Sequence, residues 1–466
     1  MRIAIAAIAA IAIAGIIAAA RLDPVVRVGA GFKAKIACSE AFVAGRPDGD
    51  ILASEFAGVD DALAYIPLRI DRARQSTHAG IGPIGRAAAV YRDGYGCTLA
   101  TGPLADLPRL APVSPTALSE ADPAAMGFDP AALATALDAI MGDPAPAHRA
   151  IVAEREGAIV AERYADGLSR DTPMLSWSMA KSVTATMIGI AVGDGLIDIE
   201  ESPPIEEWSA NNDPRQAISW RDLLHMQSGL AFREDYGDPR SDVNQMLFAQ
   251  ESAARAAIDQ PLEHAPGNHW SYSSGTTNLL QHALRRTLED AGVNYHAFAR
   301  DRLFAPLGMA SATLEPDAAG DFIGSSYMYA TARDWAKLGR LYLEDGVWNG
   351  QRILPAGWAE FVATPSGASD RQYGAQFWLN FEGRDGRPAD MPSLPRNAFY
   401  FAGHEGQYVV MLPDEDIVLV RLGRTRGMPA IKAADAAFGR IFDAYQGAGA
   451  ASAPETDIPA TENVDD

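Results

Sequence analysis

Chemistry is concentrated in Leu175-Ser176-Trp177-Ser178-Met179-Ala180-Lys181-Ser182, which runs into an apolar stretch from Ala185 to Val192. Gly193 and Gly195 then supply a helix-stop signal. Ser178 and Lys181 therefore lie three residues apart on one face, in the first turns of a helix. A serine hydroxyl attacks poorly until a base takes its proton, and a desolvated lysine near a helix N-terminus can be that base. A chance Ser-x-x-Lys on a solvated helix is the bland alternative. Usage weighs against it: the lysines stand at 33, 35, 181, 337 and 432, and only Lys181 has a serine three positions before it. Arginine, the commoner cation here, could not deprotonate.

A Ser/Lys hydrolase also needs a second proton carrier and an oxyanion hole. Tyr272, in Pro266–Gly275 just before an apolar helix running to about Leu288, is the candidate carrier. Beside a cationic lysine its pKa would fall, so that it could accept the serine proton or protonate the leaving group. The competing reading is an aromatic that fills space. The amide of Ser178 can serve as one oxyanion donor, and the Gly403-His404-Glu405-Gly406-Gln407 segment between two β-like stretches suits the other. His404-Glu405 hints at a metal, but there is no H-E-x-x-H and the eight histidines are scattered, so no metal or cofactor is expected. A Ser-His-Asp hydrolase would want G-x-S-x-G, which is missing.

The elements that must hold these groups can be read in outline. A chain of 466 residues with 48% apolar content has room for one large or two ordinary domains around a full core, and a net charge of −21 speaks against a nucleic-acid partner. Residues 1–22 carry an apolar run at 3–20 and are expected to be a signal peptide or an N-terminal membrane anchor, which implies export to the periplasm, soluble or tethered to the inner membrane. In that oxidising setting Cys38 and Cys97 are expected to form a disulfide. Residues 23–122 read as an irregular accessory region and linker, with Ile51 to Ala64 and Ala87 to Tyr91 as its regular pieces. Its literal G-x-G-x-x-G, Gly80 to Gly85, lacks a buried strand before it and holds Pro83, so it reads as a loop.

Residues 123–446 read as the catalytic domain. Asp129-Pro130 caps a helix to Met141, and a hairpin follows from His148 to Ala165. A capping box starts at Ser219, and Thr331 opens a helix through Leu343. Strands at Ala398–Gly403, Gln407–Leu412 and Ile417–Leu422 precede a last helix, Pro429–Tyr445. Both ends of this domain thus supply one sheet, an α+β layout. The acidic tail, residues 447–466, reads as disordered.

Ser178-x-x-Lys181, the Leu223–Leu230 segment, Tyr272-x-Ser274 and the Gly403-to-Gln407 strand come in the order of the penicillin-recognising serine hydrolases, which this chain resembles over roughly residues 127–445. Within that group it looks most like class C β-lactamase-type enzymes and 6-aminohexanoate-dimer hydrolases. The resemblance implies a β-lactamase/transpeptidase-like fold, an antiparallel sheet flanked by helices with a mainly helical subdomain. It implies Ser178 as nucleophile, Lys181 as general base and Tyr272 as proton shuttle, with the amides of Ser178 and His404 as the oxyanion hole and Gln407 as fallback. Tyr236, in Phe232–Pro239, would hold an amide substrate, with Trp177, Ser274 and Glu405 beside it. Two departures matter. Ser274 stands where β-lactamases have Asn, and the late strand lacks a Lys-Thr-Gly triad, so a substrate carboxylate would meet Glu405. An amidase or esterase acting on a small molecule is therefore expected ahead of a β-lactamase or DD-peptidase, with a catalytically silent scaffold of the same fold as the alternative of another class.

Overall fold

Phe399–Gly403, Gln407–Leu412 and Ile417–Gly423 are nearly unbroken apolar runs, the composition of strands covered on both faces. In the computed structural model they pair antiparallel, with Val409 opposite Val420, and Val420 in turn opposite Val152 of His148–Arg155. Ala158–Tyr164 completes the early hairpin, and the two-residue strands Trp378–Leu379 and Ser119–Glu120 close the edges of a seven-stranded sheet. Only the Ser119–Glu120 pairing is parallel among these. Strands from both ends of the region do share one sheet, as their patterning predicts.

Alternate side chains of this sheet enter different cores. Val152, Val409, Val418 and Val420 face Trp335 and Leu338 of the Ala332–Leu343 helix, whereas Ile151, Val410 and Leu419 face Leu137 of Pro130–Gly142 and Phe438 of Ala430–Asp443. Each such buried side chain contributes about 1.5–3 kcal/mol. Gly339 lets its helix lie on the sheet, since a Cβ there would sit 2.6 Å from Val418. The helix starts are capped where the sequence places them: Asp129 accepts from Ala131 and Ala132, Ser219 forms its capping box with Asp222, and Thr331 accepts from Asp334.

The described residues are 2–446 without 211 and 427, with side chains from residue 22 onward. The backbone of the apolar run at 3–20 is described but its side chains are not, and the tail from 447 lies outside the described residues altogether, so the expectations attached to both are untouched. Among the residues described with their side chains, 22–446 without 211 and 427, no helix is long and apolar enough to cross a membrane.

The region after residue 22 is not irregular. One helix, Arg2–Phe42, continues through Pro24, and a four-stranded antiparallel sheet (Leu68–Asp71, Ser76–Ile81, Ile84–Arg92, Gly96–Leu99) packs against it. Gly29 and Gly31 are packing glycines here rather than breakers: a Cβ on Gly31 would lie 2.0 Å from the Phe248 carbonyl oxygen. Of Gly80 to Gly85 only Gly82-Pro83 forms the turn, the flanking residues ending the second strand and opening the third; the stretch is a hairpin rather than a loop, and no helix follows it. Cys38 and Cys97 are bonded, their Cα atoms 6.0 Å apart, and tie the helix to the last strand.

This unit is anchored on the rest of the chain through buried charge. Lys35 pairs with Glu315, both carrying almost no exposure, and Ser39 Oγ donates to the same carboxylate at 2.8 Å. Tyr329 OH donates to Glu40 at 3.1 Å. Val28, Ile36 and Phe56 share a core with Leu175, Phe248 and Tyr327.

Candidate active site

The backbone delivers Ser178 on a strained turn. Met174–Leu175 pairs with Met328–Ala330, and the Ser176 N–H donates to Met328 O at 2.8 Å, so the entry is fixed. Trp177 then takes φ +47°, a left-handed conformation that a bulky residue adopts only under constraint. Ser178 occupies a single 3₁₀ turn, Trp177–Met179, leading into the Ala180–Gly193 helix, whose residues from Ala180 to Ala191 are all buried. That helix stops at Asp194, with Gly195 at φ +71°. Ser178 is half-buried, while Lys181 is 1% exposed.

Lys181 Nζ lies 3.1 Å from Ser178 Oγ, 2.9 Å from Ser274 Oγ and 3.0 Å from the Ser325 carbonyl oxygen. Burial lowers its pKa to about 8, against an opposing pull from Glu234. Glu234 is the site residue that sequence reading left without a role. Its carboxylate accepts from Ser274 Oγ at 2.5 Å, from Ser274 N at 2.8 Å and from Tyr236 OH at 2.8 Å. A carboxylate can only accept, so the Ser274 hydroxyl proton points at Glu234 and its oxygen must accept from Lys181. Ser325 O can only accept as well. A neutral Lys181 amine thus spends both N–H groups on Ser274 and Ser325, leaving its lone pair for the Ser178 hydroxyl proton.

Tyr272 sits two residues before the Ser274–Asp290 helix, one before its cap Ser273, in a loop whose Ser271 and Gly267 amides donate to Met226 O and Gln227 O. Its ring lies 4.8 Å from Lys181 Nζ and packs against Tyr373 and Trp378. Burial and the Glu234 charge push its pKa well above the ordinary value, outweighing the opposing influence of the Ser178 hydroxyl. The expectation of a phenol acidified by lysine is therefore reversed: in this desolvated, acid-flanked place Tyr272 keeps its proton.

Gly403 backs directly on the serine turn, for a Cβ there would fall 2.1 Å from Ser176 O. The following His404 N–H has no hydrogen-bond partner among the described residues, whereas the fallback Gln407 lies in the strand, opposite Gly403, and ties the turn through its side chain to His404 O. The Tyr236 ring stacks on His404 at 5.6 Å, and Trp177 meets His404 edge-on at 5.6 Å. Two of the expected substrate contacts are placed otherwise. Ser274 is fully buried between Lys181 and Glu234, and the Glu405 carboxylate is engaged by Arg426. Sequence gave no sign of either partnership, because each spans distant segments.

An accessible serine, an enclosed lysine of lowered basicity and a protonated phenol, held between an antiparallel sheet and a helical layer, define a serine hydrolase of the β-lactamase/transpeptidase-like fold. The chain belongs to the beta-lactamase family, whose profile matches residues 147–443 and so spans every one of these groups. It is 28% identical over 285 residues to the 6-aminohexanoate-dimer hydrolase of Paenarthrobacter ureafaciens, which covers 58% of this chain and 70% of that one. Its fold is similar to that of a family VIII carboxylesterase (TM-score 0.51, 15% identity, 67% of this chain and 98% of the other). A penicillin-binding protein homolog from Caulobacter crescentus is also similar (TM-score 0.50, 18% identity, 66% and 97%).

Proposed function

We propose that this protein is an exported hydrolase that cleaves an amide or ester of a small molecule through an acyl-Ser178 intermediate. The observation that carries this reading is the proton inventory at Lys181, whose lone pair is left facing Ser178 Oγ 3.1 Å away. Lys181 takes the serine proton as Ser178 attacks the carbonyl carbon. The amides of Ser178 and His404 receive the oxyanion, a contribution worth roughly 10²–10³ in rate per donor. Tyr272, protonated and in contact with Ser178, gives its proton to the departing nitrogen or oxygen and regains one from the Lys181 ammonium. Water then attacks the acyl-enzyme by the same groups in reverse. Tyr236, fixed by Glu234 and stacked on His404, stands beside the proposed oxyanion site.

Amide and ester substrates are favoured over β-lactams and D-alanyl peptides because the late strand offers no free cation, and the nearby Arg426 is taken by Glu405. The relative named as a 6-aminohexanoate-dimer hydrolase supports an amide. The Cys38–Cys97 disulfide and the apolar run at 3–20 support export. The test is labelling with a fluorophosphonate and turnover of p-nitrophenyl acetate, both expected to vanish in Ser178→Ala. Wild-type protein that neither labels nor turns over would sink the reading in favour of a silent scaffold. Nitrocefin is expected to be hydrolysed at a negligible rate.

A further inference from the structure

Five of the seven exposed large apolar side chains among the described residues, Leu22, Val59, Tyr65, Ile81 and Tyr236, rim a single cavity. Scattered singly such residues mean little, but gathered around one opening they mark a place for an apolar ligand. The cavity measures about 470 Å³, within the roughly 300–1,000 Å³ of small-molecule sites. Val28, Phe32, Leu63 and Ile66 of the N-terminal unit line one side; Trp177, Tyr236 and His404 of the active site line the other. Apart from the His404 ring, which burial holds toward its neutral form, the charged and amide side chains along it are engaged elsewhere. Asp60 caps Ala62 N, the Asn244 amide donates to the carbonyls of Asp235, Tyr236 and Asp238, and Glu405 holds Arg426. The lining therefore offers an occupant burial and dispersion with no counter-charge, which suits an unbranched aliphatic chain and penalises a charged or sugar-like one.

Resting on the hydrolase reading above, we infer that the aliphatic acyl chain of the substrate lies in this cavity while its carbonyl is presented to Ser178. Residues between Leu22 and Ile81 thereby become the specificity wall of the enzyme. The family-matched region, 147–443, contributes the chemistry and only the opposite wall.

The test measures kcat/KM of the full chain on p-nitrophenyl acetate, butyrate, hexanoate and octanoate. Each methylene entering the cavity should raise it about two- to fourfold, giving roughly 20- to 200-fold from butyrate to octanoate. Val25→Asp, which places a carboxylate at the half-buried edge of the cavity, should pull the octanoate-to-butyrate ratio to within about twofold of one. Ile66→Ala, which enlarges the cavity, should move the optimum to longer chains. Fluorophosphonate labelling of each variant reports whether Ser178 is still assembled. A flat wild-type profile overturns the inference and leaves the hydrolase reading standing. So does a ratio unchanged in both variants, or a flat profile accompanied by binding of phosphatidylcholine vesicles at this face. Failure on every ester, acetate included, sinks both.

Discussion

Lys181 sets how activity responds to pH. On the proposed mechanism its neutral form is the active one, and with burial lowering its pKa to about 8, kcat/KM should climb through an acidic limb near pH 8 and level above it. Lys181→Arg, which cannot deprotonate, should lower kcat/KM at least about a thousandfold at any pH. Folding depresses this lysine from 10.5, so the unfolded chain binds the extra proton between about 8 and 10.5. Its destabilising contribution is complete below about 8 and fades as pH rises through that window. Glu234 opposes the depression from across Ser274. Glu234→Gln should therefore move the limb to lower pH in a rate profile; a limb that stays or rises contradicts this account of the site. Ser178, Lys181 and Tyr272 were legible because their types and local spacing carry the chemistry. Glu234 was not, since it stands among other acids in a turn and reaches Ser274 only across 40 residues of folded chain.

At the scale of elements, the serine turn and the Gly403 strand end are one device. Gly403→Ala would drive a methyl into Ser176 O and carry the His404 amide away from Ser178. The expected result is a 10²–10³-fold fall in kcat, as for a lost oxyanion donor, with circular dichroism retained. An unchanged kcat would place the second donor elsewhere. The late strands, the early hairpin and the capped helices were readable because alternation and caps are local signals. The helix through residues 22–42 was hidden by Pro24, Gly29 and Gly31, which look like breakers until Phe248 and Ile66 are seen packed where a Cβ would stand. The small sheet was hidden too, its two longest strands carrying four Ala and two Gly against three Ile or Val.

Across the whole molecule, a buried ion pair joins two regions far apart in sequence. Lys35→Met would strand Glu315 in the interior and should lower unfolding free energy by about 3–5 kcal/mol in urea titration, whereas Lys35→Met combined with Glu315→Leu should recover most of it. A single variant as stable as the parent would show that the pair does not secure the N-terminal unit. The pair also imposes a schedule on synthesis. Cys38 can find Cys97 once the first hundred residues have emerged, but Lys35 waits for a partner 280 positions downstream. The apolar face of the leading portion therefore stays uncovered until the far half arrives, and on the inference above the acyl-binding wall is completed last, when that docking closes.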